Sequence, residues 1–249
     1  MSALDSLIPQ RLLFRAKDMR GAVRSWRYRG DKVECPCCDG RFTTFLPFGL
    51  KPRANAMCPR CGALERDRLL RLYFERKTNL FTGRLRVLHF APEHWLQRKL
   101  RSLGNLTYTS ADLYSPNAMV KMDITDIRFP SETFDVVICN HVLEHIPDDR
   151  KAMSELFRVL RVGGWAVLQV PIMESQPETF EDPSIVSPQD RERLFGQHDH
   201  VRIYGRDYTD RLRGAGFQVK QHSFAEELTP EEMARYACSP EIVFFCQKA

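Results

Sequence analysis

A doubly wound, mostly parallel α/β sheet behind a small cysteine-rich module is the fold this sequence predicts, on three observations. From residue 85 onward, short apolar runs alternate with segments of helical periodicity. One of those runs, FDVVICN, is almost continuously apolar and rich in β-branched residues, as a parallel strand covered on both faces must be. Ahead of them, five of the eight cysteines fall between residues 35 and 61.

Each element follows from its local pattern. Residues 1–30 form a basic, partly amphipathic segment expected to be helical in part. Residues 33–62 are loop-rich and include RFTTFLPFG, an alternating aromatic piece suited to short strands. Gly62 to Lys77 reads as a helix with Leu69, Leu70, Tyr73 and Phe74 on its apolar face, and Asn79 to Gly83 as a linker. LRVLHF is then a strand, PEHWLQRKLRSL a helix with Leu96, Leu100 and Leu103 on one face, and LTYTSADL the next strand. FDVVICN is followed by DDRKAMSELFRVLRVGG, a helix expected to end at its glycines, and by the strand WAVLQVPI. DYTDRLRGAGF is another helix, and QVKQHSF and EIVFFCQK are the terminal strands. The expected division is 1–80 for the basic segment and cysteine module and 81–249 for a seven-stranded α/β domain.

Composition narrows the class. With 43% hydrophobic and 28% charged residues in 249, the chain has the make-up of a globular protein. No apolar run approaches the ~20 residues of a membrane span. MSALDSLIPQRLLFRAK lacks the order of a secretory signal, so a cytoplasmic location is expected. Residues 1–80 carry 17 Lys and Arg against 8 Asp and Glu, while the remainder carries 20 against 24. That asymmetry suits either an anionic partner such as RNA or a solvated basic face.

Cys35-Pro-Cys-Cys38 and Cys58-Pro-Arg-Cys61 are two Cys-x-x-Cys pairs separated by 19 residues, within the usual zinc range. Each pair can supply two corners of a tetrahedron, so Cys35, Cys38, Cys58 and Cys61 are the expected ligands of a zinc-ribbon-like module. Four thiolates leave no open position, which makes the site structural. Cys37 is the spare thiol, and Cys139, Cys238 and Cys246 read as ordinary buried residues.

Two further segments carry chemistry. YTSADL ends its strand on Asp112, a carboxylate able to accept two hydrogen bonds from a vicinal diol. It lies about 20 residues past the first turn of the domain, as dinucleotide-type folds require. KMDITDIRFPSETFDVVICNHVLEHIPDD then sets Asp123 and Ile124 before the apolar strand, and Asn140 and His141 at its end. With the Gly163-Gly164 pair that follows, this order resembles the class I S-adenosylmethionine-dependent methyltransferases (type 11-like) over roughly the last two-thirds of the chain. The resemblance implies a Rossmann-like sheet and S-adenosylmethionine as cofactor. It implies Phe90 and Ala91 at the first turn, Asp112 with Leu113 at the ribose, Asp123 with Ile124 at the adenine, and Asn140 with His141 at the sheet edge. His141 and His145 are also spaced for a metal on one helix face, but no third ligand is evident in the sequence.

VLHFAPEHW departs from the family's pattern. Where the family has an acid and three glycines, this chain has His89, Ala91, Glu93 and Trp95. The backbone geometry is therefore expected to differ, with Pro92 at the first helical position and Glu93 in the first turn, facing the cofactor's ammonium or sulfonium.

Methyl transfer needs alignment and a base. His141 or His200 is the expected base, with Asp199 orienting it. Arg202 is expected on an anionic group of the acceptor, beside His198 and Tyr204 in FGQHDHVRIYG. A lid over Pro171 to Arg193 favours a small-molecule acceptor, such as a sugar or secondary metabolite; the basic N-terminal third favours the alternative, RNA.

Overall fold

The computed structural model describes residue 19 and residues 21–249, which form two compact units. One gathers the described residues up to Arg84 with Glu93–Leu106 and His222–Val243; the other holds Leu85–Pro92, Thr107–Gln221 and Phe244–Ala249. Of the basic segment expected to be partly helical, positions 1–18 and 20 lie outside the described residues, and positions 21–27 are helical. Among the described residues no helix is long and apolar enough to cross a membrane.

In the first unit, β1 (Arg29–Cys35) and β2 (Gly40–Phe42) form one antiparallel hairpin, and β3 (Leu46–Phe48) and β4 (Arg53–Met57) another. A cysteine pair sits at a tight turn beside each. The amides of Cys38 and Asp39 both donate to the Cys35 carbonyl, at 3.2 and 2.8 Å. Gly62 donates to the Cys58 carbonyl at 3.0 Å with φ of 77°. A Cβ on Gly62 would touch nothing, so the left-handed backbone, not space, calls for glycine there. The helix Glu65–Lys77 begins where Asp67 accepts the Leu64 amide at 2.8 Å, and it buries Leu69, Leu70, Tyr73 and Phe74 as its periodicity predicts.

Sequence reasoning passed over two features of this unit. Arg68 is fully buried, donates to the carbonyls of Ala56, Ala63, Tyr236 and Ala237, and lies 4.1 Å over the Phe45 ring. Five peptide and ring partners replace the water that a buried guanidinium loses. The second feature is the helix Pro230–Tyr236, started by a capping box in which Thr229 and Glu232 exchange hydrogen bonds at 3.2 and 3.1 Å.

In the second unit, β5 (Leu85–Phe90), β8 (Phe134–Asn140) and β9 (Leu160–Gln169) run parallel, as do β6 (Leu106–Asp112) and β7 (Val120–Lys121). β10 (Phe180–Glu181) and β11 (Arg202–Ile203) make a separate antiparallel ribbon. β12 (Gln218–His222) and β13 (Val243–Gln247) complete the main sheet, with β13 antiparallel to β9. The order is β12-β13-β9-β8-β5-β6-β7, the predicted seven-stranded, mostly parallel sheet. All seven residues of β8 are buried, which explains its apolar run. The helix Asp149–Val159, capped by Asp148 on the Lys151 amide at 2.9 Å, stops earlier than its glycines suggested. Gly163 and Gly164 lie inside β9 instead. There the register against β8 shifts, Gly163 has φ of 75°, and a Cβ on Gly164 would press to 2.9 Å on the Asp135 carbonyl. The pair makes a bulge rather than a helix stop.

From β5 the chain crosses to β6 on one side, and from β8 to β9 on the other. The reversal lies between β5 and β8, and in such sheets ligands bind at the carboxyl ends of the strands beside it.

Candidate active site

Phe90 closes β5 in register with Cys139, and Asn140 closes β8. Asp112 closes β6, with Leu113 next in the chain, while Asp123 and Ile124 follow β7. These positions share the carboxyl edge of the sheet. His89, where the family's acid would stand, is fully buried and bonds the Tyr108 hydroxyl through Nδ1 at 3.0 Å.

The glycine-free turn keeps the conformation a glycine would take. Ala91 has φ of 45°, and its amide donates to the Ala111 carbonyl at 2.9 Å. The expected change of backbone geometry is therefore corrected at this residue: a β6 carbonyl holds alanine in the left-handed region. Pro92 also falls before the helix His94–Arg101, not at its first position, because Glu93 is the cap residue with extended angles. Left-handed backbone costs a non-glycine residue about 1–2 kcal/mol, and glycine returns about 0.5–1 kcal/mol of that as unfolded-chain entropy. Ala91→Gly should accordingly raise stability by about 0.5 kcal/mol in urea unfolding. Destabilisation would contradict the strained-alanine account.

Asp112 and Asp123 each use one oxygen to shape a turn. Oδ1 of Asp112 accepts the amides of Tyr114 and Ser115, both at 2.7 Å. Oδ1 of Asp123 accepts the amide and hydroxyl of Thr125, both at 2.8 Å. In both, the hydrogen bonds of the turn fall on Oδ1 alone.

After β8 the backbone turns sharply. His141 has φ of 55°, and its amide donates to the Gln169 carbonyl at 2.7 Å. Its Nδ1 lies 3.5 Å from Oε1 of Glu144, which is 2% exposed, and its Nε2 is buried with no partner among the described residues. A 3-10 turn, Leu143–His145, follows. His200 is buried with Nδ1 3.1 Å from the Phe195 carbonyl, and burial pushes its imidazole below the ordinary value. Its ring meets that of His145 edge-on, with centroids 4.7 Å apart. Asp199, expected to orient His200, lies beside His145 instead, Oδ2 being 3.4 Å from His145 Nδ1.

Of the loop's other residues, Arg202 and Tyr204 fall outside their expected roles. His198 is exposed. Arg202, expected on an anionic acceptor, is 3% exposed; it pairs with Glu181 at 2.8 Å and donates to the carbonyls of Leu143, Ile146 and Pro147. Tyr204 is fully buried and donates to Asp149 at 2.7 Å. Arg211 joins them on Asp149 and Glu181, at 3.1 and 2.8 Å. These side chains hold β10, β11 and the Leu143–His145 turn together.

In the first unit, Sγ of Cys35 and Cys61 are 3.6 Å apart and those of Cys38 and Cys58 3.7 Å, with all four within 4.8 Å of one another. A tetrahedral zinc with sulfur at about 2.3 Å separates its ligands by about 3.8 Å, so the quartet fits that ion. The hydrogen bonds of Cys35, Cys38 and Cys61 hold the Cys58 thiol far below its ordinary range. Cys37 points elsewhere, its Sγ donating to the Asp67 carbonyl at 3.6 Å.

Comparison with known proteins agrees with this geometry. The methyltransferase-domain family matches residues 97–168. The ubiquinone biosynthesis O-methyltransferase of Psychrobacter cryohalolentis is 30% identical over 147 residues, covering 56% of this chain and 48% of that protein. The chloroplastic 2-methyl-6-phytyl-1,4-hydroquinone methyltransferase 2 of Oryza sativa is 38% identical over 50 residues, 20% of this chain and 14% of that one. The chain spans under half the length of the curated relatives it matches. Among solved structures, the (4+2)-cyclase SpnF superposes with a TM-score of 0.54 at 16% identity, over 96% of each chain. At that identity the likeness speaks for the fold alone. The strand order and the switch point between β5 and β8 are those of a Rossmann-like sheet, and residues 97–168 within it resemble the methyltransferase-domain family.

Proposed function

We propose that the protein transfers a methyl group from S-adenosylmethionine to a small molecule, while a zinc ion on Cys35, Cys38, Cys58 and Cys61 serves architecture alone. The observation that carries this is Asp112, whose turn occupies one carboxylate oxygen and leaves the other at the sheet edge. Asp112 with Leu113 would hold the ribose, Asp123 with Ile124 and Asn140 the adenine side, and Phe90 with Ala91 the close-approach turn. Glu93, two residues past Ala91 in the chain, is assigned from that place to the cofactor's positive end. When bound, the cofactor supplies an activated methyl group on a sulfonium.

His141 is the base in this reading. Its Nε2 would take the acceptor's proton, while Glu144 at 3.5 Å from Nδ1 stabilises the resulting imidazolium. His200 is given no part in the proton transfer because its Nδ1 is held on the Phe195 carbonyl and no carboxylate among the described residues is paired with its ring as Glu144 is with His141. Arg202 and Tyr204 leave the acceptor's contacts because protein groups already surround them.

A small-molecule acceptor is supported by the relatives' names, which specify ubiquinone biosynthesis, a hydroquinone and phosphatidylethanolamine. RNA is less favoured because part of the positive charge of the N-terminal third is paired within its own unit. Arg53, Arg71, Arg76 and Lys77 pair with Glu65, Glu75, Glu232 and Glu227. Reduced thiols at the zinc site support a cytoplasmic location.

Calorimetric titration with S-adenosylmethionine tests the reading, with release of S-adenosylhomocysteine as second readout. Asp112→Asn keeps an oxygen for the Tyr114 and Ser115 amides but loses a charge-assisted ribose contact worth about 1.5–3 kcal/mol. Its affinity should fall about 10- to 100-fold, and Glu93→Gln measured alongside should also weaken binding. Absence of binding in the parent protein sinks the proposal. Binding without transfer to any acceptor would instead mean that the fold serves another reaction.

A further inference from the structure

We propose that Glu144, His145 and His200 form a binding site for one divalent transition-metal cation, separate from the cysteine site. Their ligand atoms all lie within 4.8 Å of one another, and the residues come from two distant segments of the second unit. A cation with ligands at about 2.0–2.2 Å requires those atoms to close by roughly 1 Å, which side-chain rotation supplies.

The ring orientations point to metal ligation. His200 sets Nδ1 against the Phe195 carbonyl at 3.1 Å. His145 sets Nδ1 against the Asp199 carbonyl at 3.2 Å, with the Asp199 carboxylate at 3.4 Å. Both partners are oxygen acceptors, so in the neutral rings Nδ1 is the donor and Nε2 the nitrogen that offers a lone pair. A carbonyl or carboxylate behind one nitrogen of a ligating imidazole is the usual outer support of a metal site.

Glu144 supplies the second, independent observation. It is 2% exposed, and its buried Oε2 has no hydrogen-bond partner among the described residues. A carboxylate buried in this way calls for a positive charge, and the two imidazole nitrogens beside it mark where a cation sits. The ligand-bearing segments are also braced. The Glu144 carbonyl accepts the Val201 amide at 2.9 Å, while Arg202 ties down the carbonyls of Leu143, Ile146 and Pro147.

Two imidazoles and one carboxylate favour manganese, iron, cobalt or zinc over calcium or magnesium, and leave positions open for a small oxygen ligand. The cation site itself does not depend on the methyl-transfer reading. If that reading holds, the site adjoins His141 through Glu144, and the open positions would take an oxygen of the acceptor.

The test uses the full chain with zinc already at its cysteines, titrated with Mn2+ alone and followed by loss of the free-ion paramagnetic signal. Co2+ alone is the second probe, read by visible bands without thiolate charge transfer. One equivalent is expected to bind. His200→Gln and His145→Gln should each weaken it at least tenfold; His145 is partly exposed, so its variant should fold even if the other does not. Failure of both ions to bind overturns the proposal, as does binding that neither variant changes. Calorimetry with S-adenosylmethionine is independent of both ions, so the failure of either reading is told apart from the failure of the other.

Discussion

If zinc sits on Cys35, Cys38, Cys58 and Cys61 as proposed, removing it, by chelator or by Cys58→Ser, should unfold both hairpins of the first unit. β2 and β3 have three residues each, too few to hold a two-stranded ribbon in water without further support. A structural zinc of this kind contributes roughly 10–16 kcal/mol of apparent binding free energy at neutral pH. That rivals the ~5–15 kcal/mol of a whole domain, so no rearrangement of Phe42, Phe45 and Ala56 can replace it. Arg68 spreads the damage, since the Ala56 and Ala63 carbonyls that flank the second knuckle are two of its acceptors. Cys58→Ser should lose one equivalent of zinc relative to the parent and become protease-sensitive within residues 29–64. Cys37→Ser is the control and should keep both zinc and resistance, because its thiol faces the Asp67 carbonyl. A full equivalent of zinc retained by Cys58→Ser would remove the assignment.

The same contrast separates what was legible in the sequence from what was not. The cysteine pairs, the apolar run of β8 and the acid ending β6 are local patterns, and local patterns survive in one dimension. Thr229-Pro-Glu-Glu232 was equally local: a capping box before a short helix, overlooked between two expected strands. Ala91 was harder, because only the Ala111 carbonyl on the neighbouring strand reveals that alanine adopts the glycine conformation. Arg202 and Tyr204 were misleading for a physical reason. A polar loop between two glycines reads as solvent-facing, yet the partners of Arg202 are carbonyls 55 to 59 positions earlier in the chain. His200 was out of reach in the same way. His141 and His145 suggested a metal by their spacing, yet of the two only His145 lies in the cluster with Glu144 and His200, and His200 arrives only once the loop folds back onto the Leu143–His145 turn.

Replacing Arg202 by Met should cost about 3 kcal/mol or more, lowering the melting temperature by roughly 6–12 °C. The guanidinium lies 3.7 Å from Asp149 and 2.8 Å from Glu181, and the Asp149 side chain is only 4% exposed. Methionine fills similar space but leaves those carboxylates with less positive charge, and the Leu143, Ile146 and Pro147 carbonyls without their donor. Arg211 still pairs with both acids, which keeps the loss near the lower end of the 3–5 kcal/mol range for a broken buried pair. Arg202→Lys retains charge but not the planar fork that reaches three carbonyls at once, so it should recover only part of the stability. An arginine that merely bound an anionic acceptor would behave oppositely, leaving the melting temperature unchanged and raising only the acceptor's KM. The two roles also diverge at the cation site. Arg202 is not among the proposed ligands, yet it holds the turn that carries Glu144 and His145. Arg202→Met should therefore weaken Mn2+ binding while the affinity for S-adenosylmethionine, assigned to Asp112 on a different strand end, stays unchanged.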